Sequence, residues 1–304
     1  MINTIIATIK TIKEDVMPNY SLEIPLYNDK IQADLYTNAQ DNKMTIIMAH
    51  GLGGEKKCGL SKFAQYYQTL GFQVCVFDHR GFGESTHKVK SLVDKNSQLD
   101  DWKAVIQYLK SEFNFEDSQL ILWGYSFSGA HVLTLASTTT YKAIISNFPH
   151  VDGLASLTLY PKKYLLSATF KAIQDIVSIP FGKTVTMPVV AKDRFAILAG
   201  EDCYDGYLSI IPEDTLWDNA VPARIVATIG FYRPTTIAHK ITSPTLVIGA
   251  ENDSLIPIKS TRKLAKKIKN GQYHEEHCGH FDLFHEPFKS NILKIHHQFL
   301  ANLL

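Results

Sequence analysis

The chain has 304 residues, 45% of them hydrophobic and 20% charged, enough apolar material for a large buried core and inside the ordinary globular range. Its 31 Lys and Arg nearly balance 30 Asp and Glu, leaving a formal net charge of +1. With no basic stripe and no acidic tail, neither nucleic acid nor an anionic membrane is expected as the main partner.

The N-terminal stretch "MINTIIATIKTIKEDVM" is apolar, but Lys10, Lys13 and Glu14 interrupt it and no positive region precedes it, so no signal peptide is expected. No run of about 18 apolar residues follows, so no membrane span is predicted. "SLEIPL" (21–26) and "KIQADLYT" (30–37) flank the short connection "YND" and predict an antiparallel hairpin. Five nearly continuous apolar runs come next: "TIIMAH" (45–50), "QVCVFD" (73–78), "QLILWG" (119–124), "KAIIS" (142–146) and "PTLVIG" (244–249). Strands buried on both faces look like this. Between them, "LSKFAQYYQTL" (60–70) and "DWKAVIQYLKSEF" (101–113, with Asp100 or Asp101 as cap) have helical period. The alternation predicts a parallel sheet covered by helices on both faces, with the hairpin as an antiparallel edge and "QYHEEH" (272–277) as the last strand. From Asp152 to Lys240 the rhythm breaks into weakly periodic, proline-punctuated segments. Residues 152–240 are therefore expected to be a cap inserted into a core made of residues 1–151 and 241–304. Cys58, Cys75, Cys203 and Cys278 form no CxxC pair and no disulfide framework, which fits a reducing, cytoplasmic compartment.

Chemistry concentrates where strands end. In "WGYSFSG", Gly124 and Gly129 bracket Ser126 at a strand-to-helix corner. Such a sharp turn exposes a hydroxyl above the sheet at a helix N-terminus, where developing negative charge is favoured. The usual spacing is G-x-S-x-G; here Ser128 holds the last position, a small residue that the turn tolerates. "HGLGG" (50–54) and "DHRGFGES" (78–85) are Gly-rich turns after two other strands, with backbone amides free to face an anion. All three turns belong at the carboxyl edge of the sheet, where ligands bind in open α/β folds.

"HGLGG", "DHRGFGES", "GYSFSG", "IGAENDSLIP" and "HCGHFDLF" occur in the order and spacing of the α/β-hydrolase family, which the whole chain resembles. "RFAILAGEDCYDGY" and "NAVPARIVATIGFYRP" in the cap are similar to Xaa-Pro dipeptidyl-peptidase-like and dienelactone-hydrolase-like acyl hydrolases and acyltransferases. The resemblance implies a mostly parallel sheet of about eight strands with an inserted cap, and a Ser, acid, His order of catalytic residues. Ser126 is then the nucleophile, Asp253 the acid and His280 the base, with the Leu52 and Phe127 amides as oxyanion hole. Glu251 and Asp152 are rival acids, and His277 and His285 rival bases. His50 is expected to brace its turn, and Arg80 and Asp78 to fix their loop. His131 is expected to be a satisfied core histidine, and Tyr141, His296 and His297 are taken as structural. Cys58 and Cys278 are not expected to be nucleophiles. His274, His277, His280 and His285 do not have metal-site spacing, so neither metal nor organic cofactor is implied.

The expected reaction is hydrolysis of a small-molecule carboxylic ester or thioester through an acyl-enzyme. Acyl transfer to another acceptor, peptide cleavage with Glu201, Asp202 or Asp205 holding an amine, and a silent ligand receptor are the alternatives. Phe170, Phe181, Tyr204, Tyr207, Trp217, Phe231 and Tyr232 are expected to form an apolar roof, most of them as cap core. Oligomeric state is not legible.

Overall fold

The computed structural model of the chain describes residues 20–37 and 44–303; the N-terminal stretch read for a signal peptide lies outside them. β1 (Tyr20–Leu26) and β2 (Asp29–Tyr36) form the hairpin, paired from Tyr20 opposite Leu35 to Leu26 opposite Asp29. Next come β3 (Thr45–Ala49), α1 (Leu60–Thr69), β4 (Gln73–Phe77), α2 (Lys95–Phe113), β5 (Leu120–Tyr125), α3 (Phe127–Ala136) and β6 (Ala143–Asn147). The segment after β6 holds α4 (Gly153–Ser156), the long helix α5 (Lys162–Ser178), the two-residue strands β7 (Thr186–Met187) and β8 (Val221–Pro222), α6 (Cys203–Leu208) and α7 (Val226–Ile229). The alternation resumes with β9 (Thr245–Ala250), α8 (Ile258–Ala265), β10 (Gly271–Glu276) and α9 (Phe288–Ala301).

One eight-stranded sheet runs in the order β1-β2-β4-β3-β5-β6-β9-β10. Every pair from β4 to β10 is parallel, while β2 lies antiparallel to β4. The apolar runs are unbroken because helices cover both faces: all residues of β3, β5, β6 and β9 are buried. On one face Trp102, Val105 and Leu109 of α2 pack with Ile47, Leu122 and Ile144. On the other, Phe63 and Tyr67 of α1 meet Met48, Trp123 and Ile145. A third apolar cluster joins the strand-end loops, through Leu52, Phe82 and Phe127, to Ala168, Val189 and Tyr232 of the segment between β6 and β9. That cluster sets the segment against the carboxyl edge of the sheet.

α2 begins at Lys95, earlier than the periodicity predicts, and its cap is Asp94, whose carboxylate accepts from the Ser97 amide at 2.8 Å. Asp100 pairs with Lys103 on the surface, and Asp101 is buried as the acceptor for Arg80. The first turns carry polar residues, so the apolar stripe that marks the helix in the sequence starts after its true beginning.

Candidate active site

β5 hands directly to α3 at Ser126, whose backbone takes φ 56° and ψ −113°. A non-glycine residue reaches that region only when its surroundings impose it. Here the Ser126 amide donates to the Asn147 carbonyl at 2.9 Å, and its carbonyl accepts from the His150 amide at 2.9 Å. Gly124 is required for contact rather than conformation: a β-carbon there would overlap the Ser128 backbone. Ser128 itself is fully buried with its hydroxyl 3.4 Å from His79 Nε2, which is how a side chain fits where the usual pattern has none.

Three of the sequence-predicted residues meet at this corner. His280 Nε2 lies 2.9 Å from Ser126 Oγ, and His280 Nδ1 donates to Asp253 Oδ2 at 2.6 Å. The His280 and Asp253 side chains are almost wholly buried. Asp253 sits in the loop after β9, its other oxygen accepting the Leu255 and Ile256 amides at 2.8 and 2.9 Å. Asn252 donates its amide to the Cys278 carbonyl, tying the loops after β9 and β10 together. The rivals are placed elsewhere. Glu251 pairs with His277 on the surface, Asp152 accepts from Arg233 at 2.8 Å, and His285 bonds Ser209. Of the acids considered for holding a peptide amine, Glu201 is exposed, Asp205 pairs with Lys192, and Asp202 accepts from Ser254.

The Gly-rich turns are held from below. His50 Nδ1 donates to the Gly51 carbonyl at 2.8 Å while its Nε2 accepts the His79 amide at 3.3 Å. Burial, then the neighbouring His79, pushes its pKa down to about 3, so the ring is a neutral brace. Arg80 Nε donates to Asp101 at 2.5 Å and Asp78 accepts the Lys56 amide at 2.6 Å, so both fix their loop. Leu52 and Phe127 line the same cavity as Ser126, and Phe127 opens α3, where an amide has no carbonyl one turn back. Burial raises the thiols of Cys58, Cys75, Cys203 and Cys278 each to about 12, which makes them inert at neutral pH. His296 is structural, bonded to Tyr67 and Asn147 in the core. His131 is not the satisfied histidine expected: neither ring nitrogen has a partner among the described residues, and the ring is packed instead against Phe127 and Tyr232. Tyr125, which sequence reasoning passed over, donates its hydroxyl to the His280 carbonyl at 2.9 Å; its place beside Ser126 is the only signal for it.

Ser126 stands between two cavities. The larger encloses about 850 Å³ of empty space, its mouth included, and is walled by aliphatic side chains such as Leu157, Leu165, Ile197, Val226 and Ile229, with His150 near the base. The smaller, about 350 Å³, is bounded by His280, Tyr125, Cys58 and Tyr207. The expected aromatic roof is absent from the larger wall: Phe170, Phe181 and Phe231 are 61, 74 and 78% exposed, while Tyr207 and Tyr232 are buried in the third cluster. Apart from Tyr160, the roof is aliphatic, because Ala168 and Leu165, not Phe170, are the α5 residues turned inward.

Comparison with known proteins gives the same frame. The family model described as serine aminopeptidase, S33, matches residues 40–176, and the one described as alpha/beta hydrolase fold matches residues 183–287. The quorum-quenching protein AidA of Acinetobacter baumannii is 32% identical over 274 residues, covering 88% of this chain and 90% of that protein. The monoacylglycerol lipase of Mycolicibacterium smegmatis is 23% identical over 275 residues, covering 87% and 90%. Among solved structures, the alpha/beta hydrolase GrgF from a Penicillium species superposes with TM-score 0.77 at 19% identity, covering 94% of this chain and 99% of that one. A relative matched along nearly its whole length, on a sheet of this order and direction, leaves one assignment: the chain belongs to the α/β-hydrolase family and is a hydrolase.

Proposed function

We propose that the protein is a serine hydrolase of carboxylic esters or thioesters, and the observation that carries this is His280 bonded at once to Ser126 and Asp253. Ser126 Oγ attacks the carbonyl carbon as His280 Nε2 takes its proton, and Asp253 holds the ring in the tautomer that leaves Nε2 free to accept. The Leu52 and Phe127 amides stabilise the oxyanion, each worth about 2.7 to 4 kcal/mol by comparison with measured donors. His280 then protonates the departing group, and water reverses the sequence to release the acid.

The two cavities give the substrate a direction. Ser126 borders both, whereas His280 borders only the smaller. The general acid must reach the leaving heteroatom, so the alcohol or thiol departs on the smaller side and the acyl chain fills the larger, aliphatic one. Residues 152–240 act as the cap that supplies most of that wall. Among the described residues no acid lines it, which favours an apolar acyl group over a peptide with a free amine. The Mycolicibacterium smegmatis relative is named as a monoacylglycerol lipase, which supports an acyl ester as substrate.

The test is a hydrolysis panel that varies acyl length across paired esters and thioesters, with fluorophosphonate labelling of Ser126. Labelling and turnover that vanish in Ser126→Ala are expected. A protein that neither labels nor hydrolyses any member is a ligand receptor on this fold, and the proposal fails.

A further inference from the structure

α5 is turned the wrong way round for a helix that only roofs a cavity. At about 3.6 residues per turn its inward stripe is Ala168, Ala172 and Asp175, exposed by 1, 2 and 0%. Asp175 is held there by Arg224, whose Nε and Nη2 donate to its two oxygens at 2.7 and 2.8 Å. The large apolar residues Leu166, Phe170, Ile173 and Val177 share the opposite side and are 84, 61, 53 and 60% exposed. Phe181, just beyond the helix, is 74% exposed, and Leu157 and Leu159, just before it, 41% each. Single exposed hydrophobics need no explanation, but a continuous face of them marks an interaction site.

Two further observations say what covers it. Leu157, Leu159 and Leu165 are at once half exposed and part of the large cavity's wall, so that cavity opens through the apolar face. The charges are one-sided as well: the stretch from Lys162 to Lys183 carries Lys162, Lys163, Lys171 and Lys183, and its only acid is the buried Asp175. A second copy docked on this face through a two-fold axis would set these lysines against themselves with no acid to answer them. An apolar helix face rimmed by lysine matches the interface of an anionic bilayer, with the side chains among acyl groups and the ammonium groups among phosphates. The near-zero net charge of the whole chain averages this local field away.

We propose that the exposed face of α5, with its flanking Leu157, Leu159 and Phe181, docks on anionic lipid bilayers, and that acyl substrate enters the large cavity from the bilayer. The second half rests on the acyl-hydrolase reading above; the first does not. The experiment is flotation of the full chain carrying Ser126→Ala with phosphatidylcholine vesicles, with and without phosphatidylglycerol, alongside light scattering without lipid. Binding that requires phosphatidylglycerol and weakens with salt is expected. Leu166→Ser and Phe170→Ser should each lower partitioning by about tenfold or more, and Lys163→Glu with Lys171→Glu should erase the preference for phosphatidylglycerol. In the Ser126 protein the same substitutions should leave turnover of a water-soluble short ester unchanged while slowing that of a vesicle-borne ester. Absence of flotation, or flotation indifferent to these substitutions, overturns the docking surface. So does a lipid-free dimer that Leu166→Ser and Phe170→Ser convert to monomer. Flotation without cleavage of any ester leaves the surface standing and removes the acyl-hydrolase reading instead.

Discussion

Asp253→Asn is the substitution whose outcome the structure specifies most closely. One carboxylate oxygen accepts two backbone amides, from Leu255 and Ile256, and the other accepts His280 Nδ1. An asparagine must keep its carbonyl toward the two amides, because turning it round would put an NH2 against two N–H donors inside the loop. Its NH2 then faces His280 Nδ1, where a donor now meets a donor. The ring responds by moving its proton to Nε2, which removes the acceptor that Ser126 Oγ needs. Volume and backbone bonds are nearly unchanged, so stability should hold within about 1 to 3 kcal/mol, the cost of one lost charge-assisted bond. Turnover should fall by about 10⁴-fold, as the same change does in a Ser-His-Asp protease, or about 5.6 kcal/mol at about 1.4 kcal/mol per decade. The assay pairs kcat on a soluble ester with a urea unfolding curve. A loss below about tenfold in a folded protein would refute Asp253 as the orienting acid.

Ser126→Ala and His280→Ala should each remove nearly all turnover, and the double variant should be little worse, since the two act as one unit; additive losses in single-turnover assays would break that link. Along a series of acyl chains kcat/KM should rise by about 0.8 kcal/mol, or roughly fourfold, per methylene and level off once the aliphatic cavity is full; a flat series would remove the cavity from recognition. Acid should unfold the protein early. Burial holds His50 and His296 at about 3 and His150 at about 4, against 6.5 when unfolded, so each stays neutral in the fold while the unfolded chain binds its proton. Stability is therefore full above pH 6.5 and lost as pH falls, by about 2 kcal/mol for each ring at pH 5, and an unfolding midpoint unchanged between pH 7.5 and 5 would contradict this.

How much of this was legible depended on which force placed each residue. The strands were, because burial on both faces forces continuous apolar runs such as "TIIMA" and "TLVIGA". Ser126 was nameable from the small residues that its strand-to-helix turn needs, Asp253 and His280 only through the family resemblance, and the structure brings the three into one hydrogen-bonded line. The start of α2 was not legible, since a cap and two polar turns carry no apolar period. Nor was the unpartnered state of His131: a ring packed on Phe127 and Tyr232 leaves the same trace in a sequence as a hydrogen-bonded one.

The segment between β6 and β9 shows the limit most sharply, and the reason is physical. Pattern reading assigns large apolar residues to the inside and small or charged ones to the outside. In α5 the assignment is inverted because two alanines let the helix approach the cavity wall closely, and because Asp175 finds in Arg224 and the Val185 amide a full set of donors at the buried end of the stripe. A buried ion pair of this kind contributes little net stability over an apolar contact, yet removing one partner would strand the other charge at a cost of about 3 to 5 kcal/mol. It therefore acts on rotation: any turn of α5 that buried Phe170 and Leu166 would expose Ala172 and break the Asp175 contacts. The pair thus holds the apolar arc toward solvent and keeps Leu165 at the cavity mouth. A sequence reader sees an aspartate in an apolar helix as the solvent side, and so places the docking face in the core.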